Sequence, residues 1–142
     1  MLERSFDSVA INRLANGADI RPFVGGDPAQ PLDLSAAVND PRHVFLMGEH
    51  GGFACIWTAP FCYEVHTMIR AEGRGRWGFE AGRAGLEYMK AYGAKHLWTR
   101  VPDAMANVRH YTAAIGFTYC GNEMVDLGIG AQPYRLYEWR AS

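Results

Sequence analysis

The stretch HTMIRAEGRGRWGFEAG, residues 66–82, runs from the end of an apolar segment into helical periodicity and holds Gly73, Gly75 and Gly78 in the spacing G-x-G-x-x-G. Glycines at such a junction let backbone N–H groups approach an anion, and a helix starting near Trp77 adds the positive end of its dipole. Arg70, Arg74 and Arg76 supply charge. Three readings compete: a dinucleotide-binding turn, a loop for some other phosphate, and a glycine-rich connection that binds nothing. A dinucleotide fold places this spacing after its first strand, continues into a parallel sheet, and carries an acidic residue at the end of the next strand. Here the nearest acidic residue in that role, Asp103, follows Pro102, and a meander precedes the loop, so the first reading fits poorly. Local sequence leaves the other two open.

The flanking segments give the order of elements. FDSVAINRLANG (6–17) brings Ile11, Leu14 and Ala15 to one side and reads as a short helix stopped by Gly17. Residues 25–41, GGDPAQPLDLSAAVNDP, are broken by glycine and proline and hold at most one further helical turn. HVFLMGE (43–49), FACIWTA (53–59) and YEVHTMI (63–69) predict three strands of an antiparallel meander. From Trp77 to Tyr92, Glu80, Arg83, Glu87 and Lys90 form a polar stripe at helical spacing, and Gly93 ends the helix. KHLWTRV (95–101) reads as a buried strand. Pro102-Asp103 starts a second helix with Met105, Val108, Tyr111 and Ile115 on one face before Gly116, and FTYCGNEMVDL (117–127) and YRLYEWR (134–140) close the chain as paired strands.

A chain of 142 residues, 49% hydrophobic, has enough apolar mass for one core and too little length for two, so residues 1–142 form a single domain. A net charge of -1 argues against nucleic-acid binding, which calls for a basic excess. Cys55, Cys62 and Cys120 are odd in number, lack C-x-x-C spacing and sit in no nucleophile motif, which fits a reducing cytoplasm rather than a disulfide framework. The longest uncharged run, Gly51 to Tyr63, is too short for a bilayer, and MLERSFDS lacks a signal-peptide core; no membrane association is expected. His43, His50, His66, His96 and His110 form no H-x-x-x-H pair, so no metal is expected. Alternation in YEVHTMIR puts Glu64, His66, Met68 and Arg70 on one face of a strand. His66 has the pKa range for proton transfer near neutrality. Equally, Glu64 could pair across the sheet with an arginine and His66 could be a hydrogen-bonded strand residue. The helical face of Tyr111 makes it a core candidate.

From Val44 to Phe117, the meander, the arginine-glycine loop, its helix, KHLWTRVP and a helix closing NVRHYTAAIGF (107–117) resemble the GNAT superfamily of acetyl-CoA-dependent N-acetyltransferases. RGRWGFEA (74–81) is similar to that family's R/Q-x-x-G-x-G/A pyrophosphate loop, and its compact GRW form is similar to short bacteriophage-encoded members. The register stays open: if Gly75 is the first family glycine the second falls at Trp77, and if Gly78 is the second the first falls at Arg76. The resemblance implies an α/β fold with a mixed, mostly antiparallel sheet of about six strands, flanked by helices and splayed between the fourth and fifth. It implies acetyl transfer from acetyl-CoA to an amine acceptor, small molecule or protein, by direct attack, and it allows a homodimer. Coenzyme A would contact Met68, Ile69, Arg70, Arg74, Gly75, Arg76, Trp77, Gly78 and Asn107. Glu64 or His66 would be the base. The family's acid is a tyrosine four residues before the terminal glycine; this chain has Thr112 there, with Tyr111 beside it. The departures leave a second reading, a module that keeps the fold and binds acyl-CoA without turnover.

Overall fold

A computed structural model describes residues 1–128 and 130–142. Seven strands form one sheet: β1 (Glu3–Arg4), β2 (Val44–Gly48), β3 (Gly51–Ala59), β4 (Cys62–Ile69), β5 (His96–Pro102), β6 (Thr118–Asp126) and β7 (Ala131–Arg140), in the order β1-β2-β3-β4-β5-β7-β6. Among the described residues four α-helices join them: α1 (Ser8–Ala15), α2 (Ser35–Asn39), α3 (Arg76–Tyr92) and α4 (Ala106–Ala114). Every strand pair is antiparallel except β4 with β5. The class is the one expected from sequence, with seven strands instead of six. The addition is β1, whose two residues pair with Leu46 and Met47 and are too few to show alternation. The other difference is at α4. Pro102 does not start it but ends β5, opposite Tyr134, and the helix begins four residues later behind Met105. A proline without an N–H fits the last position of a strand as well as the first turn of a helix, so its local signal is ambiguous.

Strand alternation sorts the apolar side chains onto two faces. Leu46, Phe53, Cys55, Tyr63, Ile69 and Leu97 pack against Ala81, Leu86 and Met89 of α3, and Phe117 joins them. Phe45, Ala54 and Met68 point the other way, against Ile11, Leu14, Ala15 and Val38 of α1 and α2. Burying each large side chain is worth about 1.5–3 kcal/mol, which fixes the strand register because a slip of one residue would exchange the faces. Of the strands, only β2, β3 and β4 contribute buried residues to the second cluster among the described residues. On that face β5, β7 and β6 carry no helix from this cluster.

The three glycines of the G-x-G-x-x-G stretch do separate jobs. A Cβ on Gly73 would lie 2.4 Å from the His50 Cβ, so this glycine lets the turn seat against the β2–β3 hairpin. Gly75 has open space around it but adopts φ 110° and ψ -135°, a region that residues with a Cβ avoid. A Cβ on Gly78 would come within 3.0 Å of the Gly73 carbonyl. Chemical denaturation separates these causes. Gly73→Ala is expected to destabilise by about 1–3 kcal/mol through overpacking, and Gly75→Ala by about 1–3 kcal/mol through backbone strain alone. If Gly75→Ala matches wild type, the strained turn has relaxed at no cost and this account of it is wrong.

Candidate active site

The parallel ladder between β4 and β5 spans Cys62–His96, Tyr63–Leu97 and Glu64–Trp98 and then stops. The Thr99 hydroxyl donates to the Val65 carbonyl at 2.8 Å, a last stitch at the point of divergence. Beyond it β4 continues to Ile69, held by β3, and β5 continues to Pro102, held by β7. The strands therefore part with backbone edges facing each other and no ladder between them among the described residues.

One end of this opening meets the start of α3. Gly75 is the N-cap residue and supplies no side chain; the first backbone bond of the helix runs from Phe79 N–H to Gly75 O at 3.0 Å. The N–H groups of Arg76, Trp77 and Gly78 thus have no carbonyl within the helix, the usual condition of a first turn and a favourable one for an anion. Gly75 makes the turn, and the amides of 76–78 form the unpaired first turn of α3. The three arginines differ. Arg76 is almost fully exposed and pairs with Glu80 at 3.0 Å. Arg74 donates to the Asp19 carbonyl at 2.6 Å and lies 5.8 Å from the Phe23 ring centre. The Arg70 amide is used by the His50 carbonyl at 2.8 Å, leaving only its side chain for a ligand. Asp19 also accepts from the Ala71 N–H at 2.8 Å, and this bond first of all holds its carboxyl below the ordinary aspartate value.

Glu64 and His66 share a face, as alternation requires, with His66 Nε2 3.5 Å from Glu64 Oε1. Arg100, from β5, donates to Glu64 Oε2 at 2.9 Å, the cross-sheet pair that the sequence allowed as an alternative, and reaches Glu123 of β6 at 3.7 Å. It also lies 4.9 Å from the Trp98 ring centre. Burial alone would raise the Glu64 carboxyl; the contacts with His66 and Arg100 outweigh it and hold the group below its ordinary value. Glu64 is thus an ionised, weakly basic carboxylate held between Arg100 and the His66 ring, whereas the His66 side chain is 44% exposed and accessible.

The remaining expected residues have mixed positions. Met68 and Ile69 are buried in opposite clusters, so only their backbone can face a ligand in the opening. Asn107 is exposed in the first turn of α4. Tyr111 donates its hydroxyl to the Gly78 carbonyl at 2.7 Å and packs edge-on against Phe79, and burial pushes its phenol up. It seals the seam between α3 and α4, while Thr112, buried beside it, donates to the Val108 carbonyl at 2.8 Å. Sequence reasoning missed Arg100, whose pairing with Glu64 depends on an inter-strand register, and Asp19, far from Arg74 in the chain. It also missed Arg21. This buried guanidinium donates to the carbonyls of Val24, Gly25, Asp27 and Gln30 and gives the irregular 21–30 loop its shape. A Cβ built on Gly25 would meet Leu127 at 3.4 Å, so this loop touches the β6–β7 turn.

No family model matches the sequence, and no curated protein matches it. Solved structures do. Spermidine N-acetyltransferase from Vibrio cholerae, in complex with CoA and spermine, matches with a TM-score of 0.74 at 15% identity over 99% of this chain and 94% of that one. Ribosomal-protein-S5-alanine acetyltransferase from Vibrio fischeri matches with a TM-score of 0.73 at 14% identity over 98% of this chain and 91% of that one. A protein from Chromobacterium violaceum assigned to the GNAT acetyltransferases matches with a TM-score of 0.69 at 15% identity, covering 98% and 81% respectively. At these identities the likeness is one of fold: the chain has the GNAT fold.

The Glu64 cluster predicts a pH-dependent contribution to stability. A carboxylate whose folded pKa is depressed stabilises the protein above its ordinary value of 4.5, and that contribution is lost as pH falls through the lower folded value. Denaturation midpoints of wild type and Glu64→Gln should therefore differ most near neutrality and converge in acid. A constant difference across that range would mean that the charge pairs contribute nothing and only packing was changed.

Proposed function

We propose that the protein transfers an acetyl group from acetyl-CoA to an amine, with the cofactor's pyrophosphate at the start of α3 and the reacting centre in the opening between β4 and β5. The observation that carries this reading is the coincidence of two incomplete elements, a ladder that ends while its strands continue and a helix start without a side-chain cap. Each leaves backbone groups free, and together they suit a long ligand with amides at one end and phosphates at the other. The neighbour that holds CoA and spermine supports the same division between cofactor and amine.

Acetyl-CoA supplies the acetyl group as a thioester. The chain's part is to place the amine, accept its proton and offer hydrogen bonds where charge develops. We assign proton acceptance to His66 and orientation to Glu64. The carboxylate is engaged by Arg100 at 2.9 Å, which lowers its own basicity, yet it lies 3.5 Å from the imidazole and favours the imidazolium that forms. Glu64 and Glu123 share the single charge of Arg100, so this group keeps an excess of negative charge that suits a cationic amine. Tyr111 keeps its proton at neutral pH, and it could serve the departing sulfur only after releasing the Gly78 carbonyl and leaving the buried setting that pushes its phenol up, so water is the simpler donor. The second reading, a module that binds acyl-CoA without turnover, is favoured by one contact, the neutralisation of Glu64 by Arg100.

Calorimetry with acetyl-CoA and free-thiol release across a panel of amines test the proposal. Binding is expected, and Arg74→Ala and Arg76→Ala should each weaken it by about 1–3 kcal/mol if charge-assisted bonds to phosphate form. Absence of binding removes the reading; binding with thiol release at background for every amine selects the second one.

The base assignment has its own test. His66→Gln should lower turnover by about a hundredfold with cofactor affinity unchanged, and Glu64→Gln should lower it less. The reverse ranking would make Glu64 the base, and near-normal rates in the double variant would leave deprotonation to water.

A further inference from the structure

At the closed end of the β4–β5 ladder, away from the opening, three strands bring a thiol, an imidazole and a carboxylate into a row. Cys62 and His96 are ladder partners, and Glu138 lies on β7 opposite Trp98. The Cys62 Sγ is 3.3 Å from His96 Nδ1, and His96 Nε2 is 2.8 Å from Glu138 Oε2. An ionised carboxylate can only accept, so Nε2 carries the hydrogen, and in the neutral ring Nδ1 presents its lone pair to the thiol. Glu138 is ionised, since Arg140 at 3.0 Å, joined by His96, holds its carboxyl below the ordinary value. The Thr58 hydroxyl is 3.3 Å from the same sulfur and receives the Trp98 indole N–H at 3.4 Å. Arg140 and Cys120 of β6 are the other titratable groups beside this row. The donors stand in line with His96 in the middle, and no group of three or more metal-ligating side chains converges among the described residues.

The proposed acetyl transfer uses none of these residues. We propose that Cys62 is a modification site, a base-assisted thiol that exchanges with small disulfides. Its sulfur attacks one sulfur of the disulfide while its proton passes to His96 Nδ1. The S–S bond breaks, a mixed disulfide forms on Cys62, and the departing thiolate is protonated by the imidazolium or by solvent. A disulfide is the electrophile of choice because attack at sulfur develops no oxyanion, whereas attack at a carbonyl would require further donors. Exposed Arg140 beside the row favours a disulfide bearing carboxylates. The other cysteines lack this setting. Cys55 is buried in the core, its thiol pushed up to about 12 by burial. Cys120 is exposed, and partial burial and then the Glu138 charge push its thiol up.

The test treats the intact protein with dithiobis(nitrobenzoate), following thionitrobenzoate release, and with oxidised glutathione, followed by intact mass and peptide mapping. One fast equivalent should map to Cys62. Cys62→Ser should abolish the fast phase, and His96→Gln and Glu138→Gln should slow it by about tenfold or more. Imidazole in the buffer should restore part of the rate to His96→Gln, which a merely structural histidine would not allow. Circular dichroism checks that each variant is folded; should His96→Gln unfold, the mapping and Glu138→Gln decide. Faster reaction at Cys120, or wild-type rates in the folded His96 or Glu138 variants, would overturn the proposal.

Discussion

The β4–β5 ladder lasts for three residue pairs, and the proposed acetyl transfer depends on its ending there. Each of the two strands is fully occupied on its other edge, β4 by β3 and β5 by β7, so neither can bend back to close the gap. The cost of the gap is a set of strand N–H and C=O groups without ladder partners, and leaving such a group dry and unpaired costs about 1–3 kcal/mol. The space must therefore hold water or a ligand with amides of its own. The Thr99 hydroxyl, by donating to the Val65 carbonyl, marks where the β4–β5 ladder ends and the opening begins.

Both ends of the opening are shaped by contacts between distant parts of the chain. At one end Gly73 and Gly78 let the turn and α3 approach the hairpin and each other, so that the uncapped helix start sits beside β4. At the other, Arg100 draws Glu64 and Glu123 together from strands on either side of the gap. Arg21 performs a similar task outside the sheet: with four carbonyls around one guanidinium, residues 21–30 keep a fixed path without forming a long helix or a strand.

Much of this was legible in the sequence, for a physical reason. Two-sided strands and amphipathic helices carry their periodicity locally, so the meander, α3 and β5 can be read from residue spacing, as can the adjacency of Glu64 and His66. What escaped depends on register across strands or on single long-range contacts. Arg100 could be placed on β5 but not opposite Glu64, and Cys62 looked motif-free because His96 and Glu138 come from other strands. The glycine motif was legible as a loop, whereas its division into two packing positions and one strained turn needed the neighbours His50 and Gly73 O.

Asp19 holds the phosphate-side turn by two bonds, accepting from Ala71 N–H with its carboxylate and from Arg74 with its carbonyl, only two residues before Arg21. An anion that recruits Arg74 must compete with that carbonyl, so part of its binding free energy is set by how firmly residues 19–30 are folded. The same loop reaches the β6–β7 turn through Gly25 and Leu127. Thermodynamic linkage is reciprocal, so a ligand that tightened this loop from the β6–β7 turn and one that pulled Arg74 away from it would not bind independently. A contact shared by the Arg74 turn and the β6–β7 turn is the path by which binding at the one would be felt at the other.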